Sequence, residues 1–361
     1  MRIRAAVLRD VDEPFDLAEV ELDDPTPGEV LVRLVATGIC HTDLSMREDF
    51  RSAPLPVVLG HEGFGVVEAT AEGVTDVEVG QHVVISFAWC GTCVACRRGQ
   101  PAYCDLAYPL NFDCRRADGT RSLTDARGPI YSHFFGQSSF ASHCVVQSRQ
   151  LVPVDPDVDP TVAAPLGCGV QTGAGSVFNV FDPEPDSTLA VVGCGSVGLA
   201  AVMAGKVSGC RTIVGIDLVE SRRDLATRLG ATHTGADLGV ILDASEGRGV
   251  DYVLDTTGVA EVMEQGIGML APQAVYGFVA AGAVSRKVSI AARQLMLGRS
   301  LTGIIQGASV PRQMVPRLLD LHSRGLFPLE ELVTMFPFDE IDAAEAASHS
   351  GQVVKPVLLH S

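Results

Sequence analysis

Positive charge is scarce in this sequence. Its 361 residues carry 27 Lys and Arg against 44 Asp and Glu, a formal net charge of −17. No dense Lys/Arg run is present, so phosphate-backbone binding, and with it nucleic acid, is excluded as the expected partner. Long apolar runs are missing as well; none approaches the ~18 residues of a membrane span. The opening Met1-Arg2-Ile3-Arg4-Ala5-Ala6-Val7-Leu8-Arg9-Asp10 is too short and too broken by charge for a secretory signal, which predicts a cytoplasmic protein. Aromatic residues make up only 6%, with one Trp. Hydrophobic residues nevertheless reach 47% and charged residues only 20%, a composition that excludes disorder. At ~150 residues per domain, the length suggests two domains or three.

Cysteine and glycine, by contrast, are plentiful and unevenly placed. Of ten cysteines, Cys90, Cys93, Cys96 and Cys104 fall within fifteen residues. In a reducing compartment such thiols bind metal or do chemistry more often than they form disulfides. The 37 glycines gather chiefly at Gly60–Gly65, Gly167–Gly175 and Gly193–Gly198, where backbone must turn tightly or approach something closely.

Roughly the first 155 residues read as β-rich, with β-branched runs at Ile3–Leu8, Val30–Thr37, Gly63–Ala69, His82–Ile85 and Ala141–Val146. The stretch Asp105–Gln137 has little periodicity and reads as a long, functional or metal-braced loop. After Asp182-Pro183-Glu184-Pro185 strands and helices alternate. Strands are expected at Thr188–Val192, Thr212–Ile216, Asp251–Leu254 and Ala274–Val279, and helices at Val197–Val207, Ser221–Leu229 and Val259–Leu270. Such alternation implies a parallel sheet with crossover helices, an α/β fold. A helix at Val310–Ser323 and a strand at Val353–Leu359 close the chain.

Gly193-Cys194-Gly195-Ser196-Val197-Gly198 is a G-x-G-x-x-G run that follows an apolar strand and opens a helix. In that context Gly193 allows the turn and Gly195 the approach of backbone to a pyrophosphate. Gly198 lets the helix, whose N-terminus faces the phosphates, pack on the strand. Asp217, 24 residues after Gly193 at the end of the next strand, is the acid expected at the ribose hydroxyls. Its charge repels a 2′-phosphate, which favours NAD over NADP.

The four clustered cysteines, with no histidine among them, read as a closed tetrahedral zinc site that braces its loop and does no chemistry. Iron–sulfur ligation and disulfide pairing remain the alternatives for such spacing. A catalytic zinc needs mixed ligands and an open position. The candidates Cys40, His61 and Cys168 are scattered, and spacing alone does not bring them together.

Taken with their surroundings, these residues resemble the zinc-dependent medium-chain alcohol dehydrogenase/reductase family over nearly the whole chain. The carriers are Gly38-Ile39-Cys40-His41-Thr42-Asp43, Gly60-His61-Glu62-Gly63, the four-cysteine lobe, Gly167-Cys168-Gly169, Gly193–Gly198 and Lys355-Pro356-Val357. Phe134–Ala141 and Gly303–Pro311 resemble the aryl-alcohol (benzyl alcohol) dehydrogenase branch, although Ala308 stands where that branch more often has Asp. The resemblance implies a β-rich GroES-like catalytic domain at 1–169 and 306–361, and a Rossmann-type doubly wound NAD domain at 170–305. It implies two zinc ions per chain, the catalytic one on Cys40, His61 and Cys168. Glu62 would lie behind that metal, and Asp43 would orient the His61 ring.

A site of two sulfurs, one nitrogen and an open position is a Lewis acid; because zinc is not redox-active, the electrons of an alcohol must pass to the dinucleotide. The resemblance further implies that Thr42 accepts the alcohol's proton and passes it to the nicotinamide ribose. Ser45 stands where better-known members carry a histidine, which leaves the terminal base open. His41 and Lys355 would face the pyrophosphate, and Arg222 the adenosine ribose, with a snorkelling helix arginine as its alternative. Phe87 and Trp89 would wall an apolar substrate pocket suited to an aromatic or allylic primary alcohol. The competing readings are a thiol-adduct formaldehyde dehydrogenase, with Arg115 and Arg116 as its cations, and a non-catalytic dinucleotide-binding redox sensor. The resemblance implies a homodimer or homotetramer, with Ser300–Ile305 as the candidate edge strand to be paired.

Overall fold

A computed structural model describes residues 1–48, 54–280 and 287–360. It divides into one unit of residues 1–168, 310–320 and 329–361 and another of 169–309 and 321–328.

The first unit holds a five-stranded and a seven-stranded sheet. In the larger, strand Glu29–Gly38 pairs antiparallel with Glu62–Thr70, with His143–Gln147 and with Lys355–Leu359. Its alternation places Val30, Val32 and Leu34 in a core with Val67, Val83, Ile85 and Val146, while Arg33 points to solvent. Register does the functional work here. Gly38 lies opposite both Glu62 and Val357, so the residues at or just beyond these strand ends meet at one corner of the sheet. These are Cys40, His61 and Lys355.

In the second unit six strands run parallel in the order His233–Gly235, Thr212–Ile216, Thr188–Val192, Val250–Asp255, Leu270–Phe278, Ser300–Gly303. The first strand in sequence, Thr188–Val192, is central and fully buried, so the order reverses beside it. Such a switch point is where α/β sheets take their ligands. Ser300–Gly303 forms one end of this sheet.

Several sequence expectations are corrected. The helix expected over Val259–Leu270 ends at Gly266, passes through a 3-10 turn Ile267–Met269, and Leu270 already begins a strand. Gly266 is there for packing, since a Cβ on it would lie 2.5 Å from the Tyr276 ring. The expected loop Asp105–Gln137 contains helix Ala107–Phe112 and the hairpin strands Leu123–Asp125 and Gly128–Ile130. Strands Asp16–Leu22 and Val333–Pro337 and helix Ile341–His349 were not anticipated. Residues 169, 306–309 and 321–328 lie in the second unit rather than the first. There the Gly307 carbonyl accepts from Asn179, and the Phe327 ring lies 6.2 Å from Phe178. Among the described residues, no helix is long and apolar enough to cross a membrane.

Candidate active site

Among the described residues, two groups have metal-holding geometry. Cys40, His61, Glu62 and Cys168 each place a ligand atom within 4.8 Å of the others, and so do Cys90, Cys93, Cys96 and Cys104.

The first group is assembled by three backbone features. Ile39 N–H donates to Pro356 O, fixing the turn that presents Cys40. His61 immediately precedes strand Glu62–Thr70. Cys168 follows the 3-10 turn Ala164–Gly167. Gly167 there lies so close to Ile85 that a Cβ would be 2.2 Å from its carbonyl oxygen, and Ser86 Oγ donates to Gly167 O at 2.8 Å. Glycine is therefore required for Cys168 to reach the site.

Asp43 is a triple acceptor, 3% exposed. Its carboxylate takes Cys40 N–H at 2.9 Å, Gly60 N–H at 3.0 Å and the His61 Nδ1 contact at 2.9 Å. That leaves His61 Nε2, fully buried and without a hydrogen-bond partner. A buried, unpaired imidazole nitrogen beside two sulfurs costs free energy unless something ligates it. This donor set fits zinc. Without a cation the two thiols share a proton. The hydrogen bond from Cys168, with the Lys355 and His61 charges, holds Cys40 well below the usual thiol range. The same bond, with burial, pushes Cys168 up. Burial works against a charged His61, yet the Asp43 and Cys40 charges hold it up at about 10.

Lys355 corrects an expectation. It does not offer its charge to a pyrophosphate. It is 1% exposed, and Nζ donates to Ile39 O at 3.0 Å and to Glu62 Oε1 and Oε2 at 3.0 and 2.8 Å. Those bonds account for all three ammonium donors. Lys355 thus neutralises a fully buried Glu62 behind the metal group. Burial alone disfavours its charge, but Glu62 holds it above its ordinary value.

Helix His41–Glu48 carries the remaining candidates of this corner. His41 is exposed. Thr42 is half-buried, with Oγ1 3.8 Å from Cys40 Sγ. Ser45 spends its hydroxyl on His41 O at 2.9 Å. Phe87, 4% exposed, belongs to the core, with Trp89 packed against it at a ring distance of 5.4 Å. Arg116 donates through Nε and Nη2 to the two oxygens of Glu29 at 2.9 and 3.0 Å, and Arg115 pairs with Asp113. Sequence reasoning missed Gln137 and Phe135, which contact His61 directly.

In the lobe, backbone N–H groups converge on sulfur. Thr92 and Cys93 donate to Cys90, Cys96 and Asp105 donate to Cys93, and Cys90 and Leu106 donate to Cys104. Burial opposes a charged Cys90, but the Thr92 and Cys93 N–H groups bring it down to about 6. Gly91 and Gly99 take the left-handed turns, at φ 77° and 74°.

In the second unit each glycine of the Gly193–Gly198 run has a distinct physical reason. Gly193, at φ 89°, would place a Cβ 2.3 Å from Thr256 Oγ1. A Cβ on Gly198 would lie 1.9 Å from Gly193 O, so its absence lets helix Ser196–Val207 pack against the turn. Gly195 has nothing within 4 Å, which leaves the loop open at the helix N-terminus formed by Ser196 and Val197. Asp217 accepts Cys194 N–H and Val219 N–H at 2.8 Å each, one per oxygen, which leaves acceptor capacity on both. Arg222 Nη1 lies 3.9 Å from Asp217, and its buried Nε has no hydrogen-bond partner.

Residues 26–156 match the family model described as alcohol dehydrogenase GroES-like domain, and residues 196–324 that of zinc-binding dehydrogenase. The chain is 40% identical to geraniol dehydrogenase of Castellaniella defragrans, over 99% of this chain and 97% of that one. It is 32% identical to S-(hydroxymethyl)glutathione dehydrogenase of Escherichia coli, over 99% of this chain and 100% of that one. Among solved structures, benzyl alcohol dehydrogenase from Acinetobacter calcoaceticus superposes with a TM-score of 0.95 at 37% identity, covering 100% of both chains.

Proposed function

The chain belongs to the zinc-dependent medium-chain alcohol dehydrogenase family, and we propose that within it the protein oxidises primary alcohols of aromatic or allylic type to aldehydes with NAD. The observation that carries this reading is the buried Cys40–His61–Cys168 group with its unpaired His61 Nε2 beside Thr42. Cys40, His61 and Cys168 would hold one zinc, and Cys90, Cys93, Cys96 and Cys104 the other. When bound at the first site, zinc supplies Lewis-acid polarisation of the alcohol oxygen. Around it the protein's own groups set the geometry. Asp43 fixes the His61 ring through Nδ1, and Lys355 keeps the Glu62 carboxylate neutralised. Thr42 Oγ1 takes up the hydroxyl proton. The open backbone at Gly195 admits the pyrophosphate, and Asp217 accepts from the ribose hydroxyls.

The substrate class rests on the names of two relatives, geraniol and benzyl alcohol dehydrogenase. Of the two aromatics expected at the pocket, Phe87 is buried in the core and only Trp89, packed on it, is left to offer an apolar wall. The thiol-adduct formaldehyde reading has a relative of that kind in its favour. It lacks its second cation, however, because Arg116 is committed to Glu29. An NAD-reduction assay over benzyl, cinnamyl, terpenoid and short aliphatic alcohols, and over formaldehyde with glutathione, decides among these. An apolar group that fits its pocket is worth ~10–200-fold in kcat/KM, so benzyl and cinnamyl alcohol should exceed ethanol by at least about tenfold. A preference for ethanol removes the substrate class. A preference for the glutathione adduct selects the second reading. NAD reduction with none of them leaves the sensor reading.

Asp217→Ala tests the cofactor. Hydrogen bonds to a charged group are worth ~1.5–3 kcal/mol, so KM for NAD should rise about 10–100-fold. KM for NADP should fall at the same time, because the charge opposing its 2′-phosphate is gone. Equal efficiency with NAD and NADP in the parent enzyme would overturn the role given to Asp217.

A further inference from the structure

The segment His133–Ser138 pays a high conformational cost for its shape. His133, Phe135 and Ser138 all lie in the left-handed region, at φ 64°, 51° and 56°, and Gly136 joins them at 68°. Each non-glycine residue held there costs on the order of 1–3 kcal/mol, and persists only where the surroundings over-determine it. They do so here. Ser138 Oγ accepts Phe134 N–H at 2.9 Å and donates to Val58 O at 2.6 Å. Gln150 Nε2 donates to Phe135 O at 2.9 Å, and its amide covers Gly136 so closely that a Cβ would come within 2.6 Å of it.

That shape delivers three groups to one residue. The Phe135 ring stacks on the His61 imidazole at a centroid distance of 4.4 Å and an interplanar angle of 24°. The Phe134 ring meets the same imidazole edge-on, at 5.4 Å and 88°. The Gln137 amide bridges His61 and Gly63, donating to His61 O at 2.9 Å and accepting Gly63 N–H at 3.1 Å, and it also reaches Ser86 O at 3.4 Å. Phe135 is 6% and Gln137 1% exposed. With Asp43 on Nδ1, the imidazole is fixed at its ring edge, its face and its backbone, and Nε2 is the atom left free.

We propose that Phe135 and Gln137 are positioning residues for the metal ligand His61, and that the left-handed segment His133–Ser138 exists to hold them there. The proposal rests on the reading of Cys40, His61 and Cys168 as a zinc site. Phe135 fixes the ring plane and keeps water from that face. Gln137 fixes the backbone from which the ring projects. Partners that orient a metal-bound imidazole are worth about 10–100-fold in metal affinity.

The test uses the zinc-loaded full chain and the variants Phe135→Leu and Gln137→Met, with zinc release to a chromogenic chelator as the readout. Leucine keeps an apolar side chain but loses the flat plate. Methionine keeps the length of glutamine but loses its hydrogen bonds to His61 O, Ser86 O and Gly63 N–H. In each variant one zinc should be held about 10–100-fold more weakly than in the parent. The second zinc, on the four cysteines, should be released as in the parent, which reports an intact fold. Should Phe135→Leu fail to fold, Gln137→Met carries the test alone. Parent-like retention of both zincs in every variant that folds overturns the proposal. A parent chain that holds only the four-cysteine zinc overturns the site reading instead, and the proposal with it.

Discussion

Serine at position 168 should abolish alcohol oxidation while leaving the fold in place. Cys168 is 7% exposed, and its sulfur stands within 4.8 Å of the other ligand atoms of the group. A serine hydroxyl does not ionise near neutral pH and is a poor replacement for thiolate at a borderline-soft metal. Losing a partner that merely orients a ligand costs about 10–100-fold, so losing the ligand itself should lower kcat/KM by at least ~10²-fold. The backbone at this point does not depend on the sulfur. Gly167 is seated against Ile85, and Ser86 Oγ binds its carbonyl, whichever side chain follows. Metal analysis should therefore fall from two zincs to one, with an unchanged far-UV circular dichroism spectrum. Zinc bound to the native state stabilises it by mass action. Parent and variant should accordingly melt apart when loaded and nearly together when stripped. Turnover within tenfold of the parent would remove Cys168 from the ligand set.

What could be read from the sequence depended on how local each feature is. The dinucleotide loop was legible because a strand, three glycines and an acid lie within thirty residues, and each glycine then shows its own packing reason. The four-cysteine lobe was legible for the same reason. Cys40, His61 and Cys168 were not, because they meet through the pairing of Gly38 with Glu62 and the seating of Gly167 on Ile85. No spacing rule encodes either contact, and only the resemblance to a family connected them. Lys355, which the resemblance turns toward a pyrophosphate, is buried instead, as a lysine is only when it has a partner. Its partner, Glu62, lies 293 residues away in sequence. In the sequence Phe135 stands out only as part of the run Phe134–Ala141 that resembles a family branch. A left-handed phenylalanine cannot be read from residue type, since nothing local favours it. The helix expected to reach Leu270 stopped early where Gly266 and Gly268 weaken it and Tyr276 packs on the first of them.

Replacing Thr42 with valine should slow alcohol oxidation by at least ~10²-fold, the lower end of what general acid–base steps contribute. Valine keeps the volume and the β-branching but removes Oγ1, the hydroxyl that stands 3.8 Å from Cys40 Sγ at the start of helix His41–Glu48. Thr42→Ser restores a hydroxyl at that place and should keep most of the activity. The KM for NAD should change little in either variant, because neither alters Asp217 or the Gly193–Gly198 run proposed to hold the cofactor. At the outer end of the proposed relay, the resemblance implies a histidine in other members where this chain has Ser45. Ser45 cannot stand in for a histidine there. Its hydroxyl is spent on His41 O, and it has no useful pKa near neutrality. Ser45→Ala should therefore leave kcat unaltered. Ser45→His should accelerate oxidation, chiefly at and below neutral pH, where proton release to water is slowest. Product release limits many dehydrogenases and would hide both effects, so the measurement is single-turnover NADH formation. An unchanged single-turnover rate for Thr42→Val at pH 7 would take the proton relay away from Thr42. It would leave the metal and dinucleotide readings standing, since neither depends on that hydroxyl.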